Sequence, residues 1–111
     1  NGMKTVKDAI MAYPGVADGE EFLSVVLTDR GLDGEAVYAA EAGRDVRLAV
    51  ADVYAMIGGL PNFTEYKLSV SYDRAWYRSK AAELYRENGE AEKANRLGGI
   101  FVPRGKSNQT W

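Results

Sequence analysis

The chain has 111 residues, enough for one domain with a modest core, and its 46% hydrophobic and 27% charged residues are ordinary for a globular protein. It contains no cysteine and no histidine, which excludes disulfides, thiolate chemistry, the commonest metal ligand and the commonest general base. Its net charge of −2 and pI of 5.2 disfavour a dedicated nucleic-acid binder.

Two helices are predicted in the first third of the chain. Apolar residues at helical spacing predict the first helix over residues 6–13, with Thr5 as its N-cap. The second is expected to begin at the N-cap Asp18, with Glu21 at the spacing of a capping box. It is expected to end at Gly31, a residue suited to the left-handed position after a helix. Residues 35–41 fit either a helical turn or an ordered loop.

The longest helical pattern covers residues 42–57 and predicts the central helix of the domain. Apolar residues keep the 3.6-residue period over three turns, and Gly58 and Gly59 end the pattern. The apolar stretch 46–60 contains Arg47 and Asp52, so it is too short and too polar to span a bilayer. The fold class that follows is mainly α, with four to five helices packed around this central helix.

One short β segment is predicted over residues 66–72. Tyr66, Leu68, Val70 and Tyr72 alternate with polar residues, which is the period of a half-buried strand. A lone strand leaves backbone hydrogen-bonding groups unpaired. We therefore expect this segment to pair either with another subunit or with the strand-like run at residues 100–102 of the C-terminal tail.

Two more helices are predicted after this segment. Asp73 is an N-cap for a helix over residues 74–88. A shorter helix over residues 90–97 is expected to end at Gly98 and Gly99. The domain organisation is then a single helical domain over residues 3–98 and a C-terminal tail over residues 99–111.

Charge is distributed unevenly along the chain. Residues 1–66 hold 5 Lys/Arg and 11 Asp/Glu, a net charge of −6. Residues 67–111 hold 9 Lys/Arg and 5 Asp/Glu, a net charge of +4. Such subunits can meet head to tail, with an acidic surface against a basic one. A contact of that kind generates a ring or a filament.

No motif for chemistry is present in the sequence. There is no calcium-binding loop, no phosphate-binding glycine motif, and no histidine to activate a serine. We therefore predict no catalytic residues, no cofactor and no metal, and a protein that is not an enzyme.

The basic residues between Arg74 and Arg96 permit a second interpretation. A basic helix with interleaved aromatic residues can bind phosphates, so the chain could be a small binding module for nucleic acid or an acidic protein partner. Trp76 lies off the inward stripe of its helix. It could contact another subunit or pack on the segment at residues 66–72.

The order of elements carries a family resemblance. A second helix ending in Thr28-Asp29-Arg30-Gly31-Leu32-Asp33 precedes the central helix, and Leu68-Ser69-Val70-Ser71-Tyr72-Asp73-Arg74 joins the β segment to the next helix. Over residues 3–98 this resembles small uncharacterised proteins of Bacteroides-type bacteria and their prophages. It also resembles the small helical head–tail connector (adaptor) proteins of tailed phages. The resemblance implies a helical subunit of a ring beneath the portal, with a loop or strand shared between neighbours.

The primary hypothesis is a non-enzymatic structural protein, a connector-like ring subunit of prophage virion assembly. Its expected partners are copies of itself and portal or tail proteins, with no membrane and with nucleic acid disfavoured. We expect it in the cytoplasm or in the virion. The candidate interface residues are Tyr66, Leu68, Val70, Tyr72, Arg74, Trp76 and Arg78.

Overall fold

The first helix, α1 (Val6–Met11), begins where its capping signal places it. The computed structural model of the protein describes residues 3–63 and 72–101, with side chains as far as Leu97. The Thr5 hydroxyl accepts a hydrogen bond from the Asp8 amide at 3.1 Å, and the Asp8 carboxylate accepts one from the Thr5 amide at 3.1 Å. These bonds lower the pKa of the Asp8 carboxyl. The predicted N-cap is therefore confirmed.

A 3₁₀ helix (Val16–Phe22) leads directly into helix α2 (Leu23–Arg30). The prediction that Asp18 caps a helix is wrong, because Asp18 lies inside the 3₁₀ helix and its carboxylate accepts a hydrogen bond from the Tyr77 hydroxyl at 2.5 Å. The C-terminal end of α2 is as predicted. Gly31 is left-handed with a φ of 68°, and the Leu32 amide donates to the Leu27 carbonyl at 2.9 Å, as in a Schellman motif.

Residues 32–39 form an ordered connection rather than a helix. Val37 forms an isolated antiparallel bridge with Thr5, and the Tyr38 amide donates to the Lys4 carbonyl at 2.8 Å. A short 3₁₀ helix (Ala40–Ala42) follows. Within residues 3–63 and 72–101, this bridge is the only β pairing.

The central helix α3 (Gly43–Gly58) forms the middle of the core, as predicted. Its buried residues lie around most of its circumference, which places it between two sets of helices: Val46, Leu48, Ala49, Val50, Ala51, Val53, Tyr54 and Ile57. We call α1, the first 3₁₀ helix and α2 the N-terminal layer. All three of its elements pack against α3.

Helices α4 (Arg74–Glu87) and α5 (Ala91–Phe101) form the C-terminal layer, in which α4 packs along α3 and α5 packs against α4. Asp73 caps α4 by accepting a hydrogen bond from the Trp76 amide at 2.8 Å, as predicted. The prediction that Gly98 and Gly99 end the last helix is wrong, since α5 continues to Phe101. A glycine lowers helix stability by about 1 kcal/mol without preventing a helix. Residues 100 and 101 are thus helical and do not supply the strand-like pairing run.

The described residues confirm that the protein is mainly helical. The predicted β segment over residues 66–72 lies outside them except for Tyr72, so Tyr66, Leu68 and Val70 and their pairing stay predictions. Among the described residues, no helix has the length and apolar character needed to cross a bilayer.

Candidate functional site

A cavity of about 470 Å³ lies beside a cluster of charged side chains that joins three parts of the fold. Arg30 is the last residue of α2, Asp52 lies in the middle of α3, and Glu90 precedes α5. The Arg30 guanidinium donates to Asp52 at 2.6 and 3.0 Å, and to Glu90 at 2.9 Å twice. We call these residues, together with Tyr85 and Lys93, the Arg30 cluster.

Tyr85 and Lys93 complete the Arg30 cluster. The Tyr85 hydroxyl donates to Asp52 Oδ1 at 2.6 Å, and the Lys93 ammonium lies 3.3 Å from Glu90 Oε1. The hydrogen bonds from Arg30 lower the pKa of the Glu90 carboxyl to about 2. Burial, followed by the bond to Asp52, raises the pKa of the Tyr85 hydroxyl. Glu90 therefore remains ionised, and both carboxylates are occupied by donors, which suits them to hold the layers together rather than to abstract protons.

Two of the predicted interface arginines bind carbonyls at or just after the end of the central helix. Arg74 donates to the Leu60 carbonyl at 2.8 Å, and Arg78 donates to the Gly58 carbonyl at 3.1 Å. The last carbonyls of a helix have no partner within the helix and carry the negative end of its dipole. Arg78 therefore stabilises the C-terminal end of α3, and Arg74 binds the turn that follows it.

Tyr72 and Trp76, the two predicted interface aromatics that the structure describes, contact each other. Their rings stack with centroids 3.8 Å apart and an interplanar angle of 12°. Trp76 also meets Tyr54 and Tyr77 edge to face, with both centroid distances at 5.3 Å. Trp76 thus packs within its own chain, on the residue that ends the predicted β segment. A small apolar cavity of about 170 Å³ lies beside it.

A second pair of arginines binds the opposite end of the C-terminal layer. Arg44 donates to the Asn88 backbone carbonyl at 2.9 Å, and Arg47 donates to the Asn88 side-chain oxygen at 2.8 Å. The Asn88 side-chain nitrogen donates to the Leu84 carbonyl at 2.8 Å, so this buried amide is satisfied. Arg44 and Arg47 lie in the first turns of α3, which fixes the C-terminal end of α4 against them.

The Arg30 cluster and the contacts of Arg44 and Arg47 could not be predicted from the sequence. Asp52 was the one available signal, since it is a carboxylate within the otherwise apolar stretch of the central helix. An ionised group in such a position needs a partner. That partner, Arg30, is 22 residues away along the chain, and no local pattern indicates it. Within the described part of the chain, no three Asp or Glu side chains are grouped so that they could hold a metal ion.

Comparison with known proteins gives a family without a known activity. Residues 4–100 match the model of the Family of unknown function (DUF6706), and the chain belongs to that family. No curated protein and no solved structure matches the chain.

Proposed function

We propose that this member of a family of unknown function is a non-enzymatic assembly subunit that binds copies of itself head to tail. The proposed assembly is a ring like those of the phage head–tail connectors that its sequence resembles, with portal or tail proteins as further partners. The observation that carries the proposal is the uneven charge of the two halves of the chain, with an excess of exposed carboxylates in the first half.

The surface of the N-terminal half carries more carboxylates than cations. Its exposed carboxylates form what we call the acidic surface: Asp8, Glu20, Glu21, Asp29, Asp33, Glu35, Glu41 and Asp45. Arg30 is half-buried and binds Asp52 and Glu90. The exposed cations of this half are Lys4, Lys7, Arg44 and Arg47, and these four do not balance the eight carboxylates.

The opposite charge lies in the second half of the chain. Residues 67–111 have a net charge of +4. Arg86 on α4 and Arg96 on α5 are exposed beside the carboxylates Asp73, Glu83, Glu87 and Glu92, and the sequence adds Lys67, Arg104 and Lys106. An acidic surface and a basic one on the same subunit are complementary between copies rather than within one copy. Association through them is heterologous, and it closes into a ring if the rotation between subunits permits.

The β segment at residues 66–72 is the second proposed contact. Pairing of Tyr66, Leu68 and Val70 with another subunit would satisfy backbone groups that a lone strand leaves open. Tyr72 and Trp76, stacked on each other, would anchor the end of that segment to α4.

Sedimentation equilibrium tests the proposed function. We expect the wild-type protein to self-associate more strongly at about 0.05 M salt than at about 0.5 M, because salt screens exposed charges. The double variant Arg86→Glu, Arg96→Glu should associate more weakly. The matched control is Lys4→Glu, Lys7→Glu, which makes the same change in net charge on the acidic side and should associate at least as strongly as wild type. A wild-type protein that stays monomeric under every condition would overturn the proposal.

The binding-module interpretation has less support from the contacts. Four of the six basic side chains between Arg74 and Arg96 have partners in their own chain: Arg74, Arg78, Lys80 and Lys93. Salt-sensitive binding of a single-stranded oligonucleotide by a monomeric protein, lost in Arg86→Glu, Arg96→Glu, would favour this alternative instead.

A further inference from the structure

A groove on the N-terminal layer has an apolar floor and an acidic rim. It encloses about 370 Å³ between α1, the first 3₁₀ helix, α2 and the connection that follows α2. Leu23 and Leu27 of α2 form its floor, and Leu23 is almost fully buried. Gly34 closes one side, where an added Cβ would lie 2.9 Å from Leu27 Cδ1. The backbone at Gly34 thus lies directly against the Leu27 side chain.

The rim of this groove carries a net negative charge. Glu20, Glu21 and Glu35 line it together with a single ammonium group, that of Lys7, and all four side chains are exposed. An apolar floor between carboxylates suits an extended segment that combines apolar and basic side chains.

The C-terminal end of the same chain has this composition. Residues 102–111 contain two basic residues, Arg104 and Lys106, and no acidic residue, with Val102, Pro103 and Trp111 as apolar groups. They follow the last residue of α5, in the C-terminal layer, whereas the groove belongs to the N-terminal layer. Ten residues span up to about 35 Å when extended. This length is sufficient to reach the surface of an adjacent molecule.

We propose that the groove binds residues 102–111 of a second copy of the chain. The proposal rests on the proposed function, because it supplies a specific contact for head-to-tail association. Arg104 and Lys106 meet the glutamates of the rim, and an apolar side chain of the segment packs on Leu27, the partly exposed leucine of the floor. Each subunit then offers one groove and one segment, so the contact repeats from copy to copy.

A labelled peptide of residues 102–111 provides the first test. Its fluorescence anisotropy is measured with the full-length protein at about 0.05 M salt. We expect saturable binding that weakens about tenfold or more in the variant Glu20→Lys, Glu21→Lys, Glu35→Lys. The matched control makes the same charge change at exposed glutamates that do not line the groove: Glu41→Lys, Glu87→Lys, Glu92→Lys. Equal binding by both variants would overturn the groove as the binding site.

Charge reversal on both sides tests the contact between copies. Two double variants are compared by sedimentation equilibrium. One reverses the charges of the segment (Arg104→Glu, Lys106→Glu), and the other reverses those of the groove (Glu21→Lys, Glu35→Lys). We expect each of them to associate more weakly than wild type. An equimolar mixture of the two variants should recover part of the association, because the reversed segment meets the reversed groove.

The outcomes separate this inference from the proposed function. If wild type self-associates and neither reversal alters the association, the groove proposal is overturned and the proposed function stands. If the peptide binds the groove but wild type stays monomeric at every concentration and salt, the proposed function is overturned and the groove binds the chain's own end instead of a second copy.

Discussion

Replacing Arg30 by glutamine should lower the free energy of unfolding by about 3 kcal/mol at pH 7. The substitution removes a guanidinium that makes four hydrogen bonds of 2.6–3.0 Å to Asp52 and Glu90. Both carboxylates then lie near each other with Lys93 as the remaining cation of the Arg30 cluster. Because the Arg30, Asp52 and Glu90 side chains keep 14–24% of their exposure, the cost falls at the low end of about 3–5 kcal/mol for breaking a buried pair.

The loss of stability caused by Arg30→Gln should be smaller at low pH than at pH 7. In the wild type Glu90 has a pKa of about 2 in the folded protein, below its ordinary value of 4.5. A lowered pKa contributes stability that is complete above pH 4.5 and is lost as the pH falls through 2. The variant lacks that contribution, so its deficit in stability should shrink between pH 4.5 and pH 2 as Glu90 is protonated.

Urea denaturation followed by far-UV circular dichroism measures both effects. The control is Arg86→Gln on the exposed face of α4, which should change stability by less than about 0.5 kcal/mol. A loss below about 1 kcal/mol at pH 7 for Arg30→Gln, or a deficit that does not change down to pH 2, would show that Arg30 does not hold the cluster together.

Three further substitutions test separate contacts, each by urea denaturation. Glu90→Gln should flatten the loss of stability between pH 4.5 and 2; an unchanged slope would show that Glu90 is not the titrating group. Asp73→Ala should lower the free energy of unfolding by about 1 kcal/mol because it removes the hydrogen bond that the cap accepts from the Trp76 amide. Asp73→Asn keeps an acceptor oxygen, so it should retain most of the stability. Gly19→Ala should cost about 1–3 kcal/mol because its Cβ would lie 2.7 Å from Ile57 Cδ1, and a neutral result would mean that Ile57 moves aside.

Features that depend on neighbouring residues could be predicted from the sequence. The central helix followed from its 3.6-residue apolar period, because burial on most sides leaves a repeating signal. The caps at Thr5 and Asp73 and the left-handed Gly31 followed from side chains that act within a few residues of themselves. These contacts are local, so the sequence pattern and the structure agree.

Features that depend on distant residues could not be predicted. Asp18 resembles a helix cap locally, but the Tyr77 hydroxyl, 59 residues away, binds its carboxylate. Arg74 and Arg78 look like surface cations on a basic helix, yet both bind carbonyls at or just after the end of α3. Gly98 and Gly99 are local helix-ending signals, yet α5 continues through them.

Zero-length cross-linking tests head-to-tail association most directly. A carbodiimide joins carboxylates to lysine amines in contact, and an equal mixture of unlabelled and ¹⁵N-labelled chains identifies the cross-links that connect two copies. We predict that links between copies join Glu20, Glu21 or Glu35 to Lys106 or Lys67, and that they disappear at high salt. Links between copies that join the same surface to itself, or links within single chains alone, would contradict head-to-tail assembly.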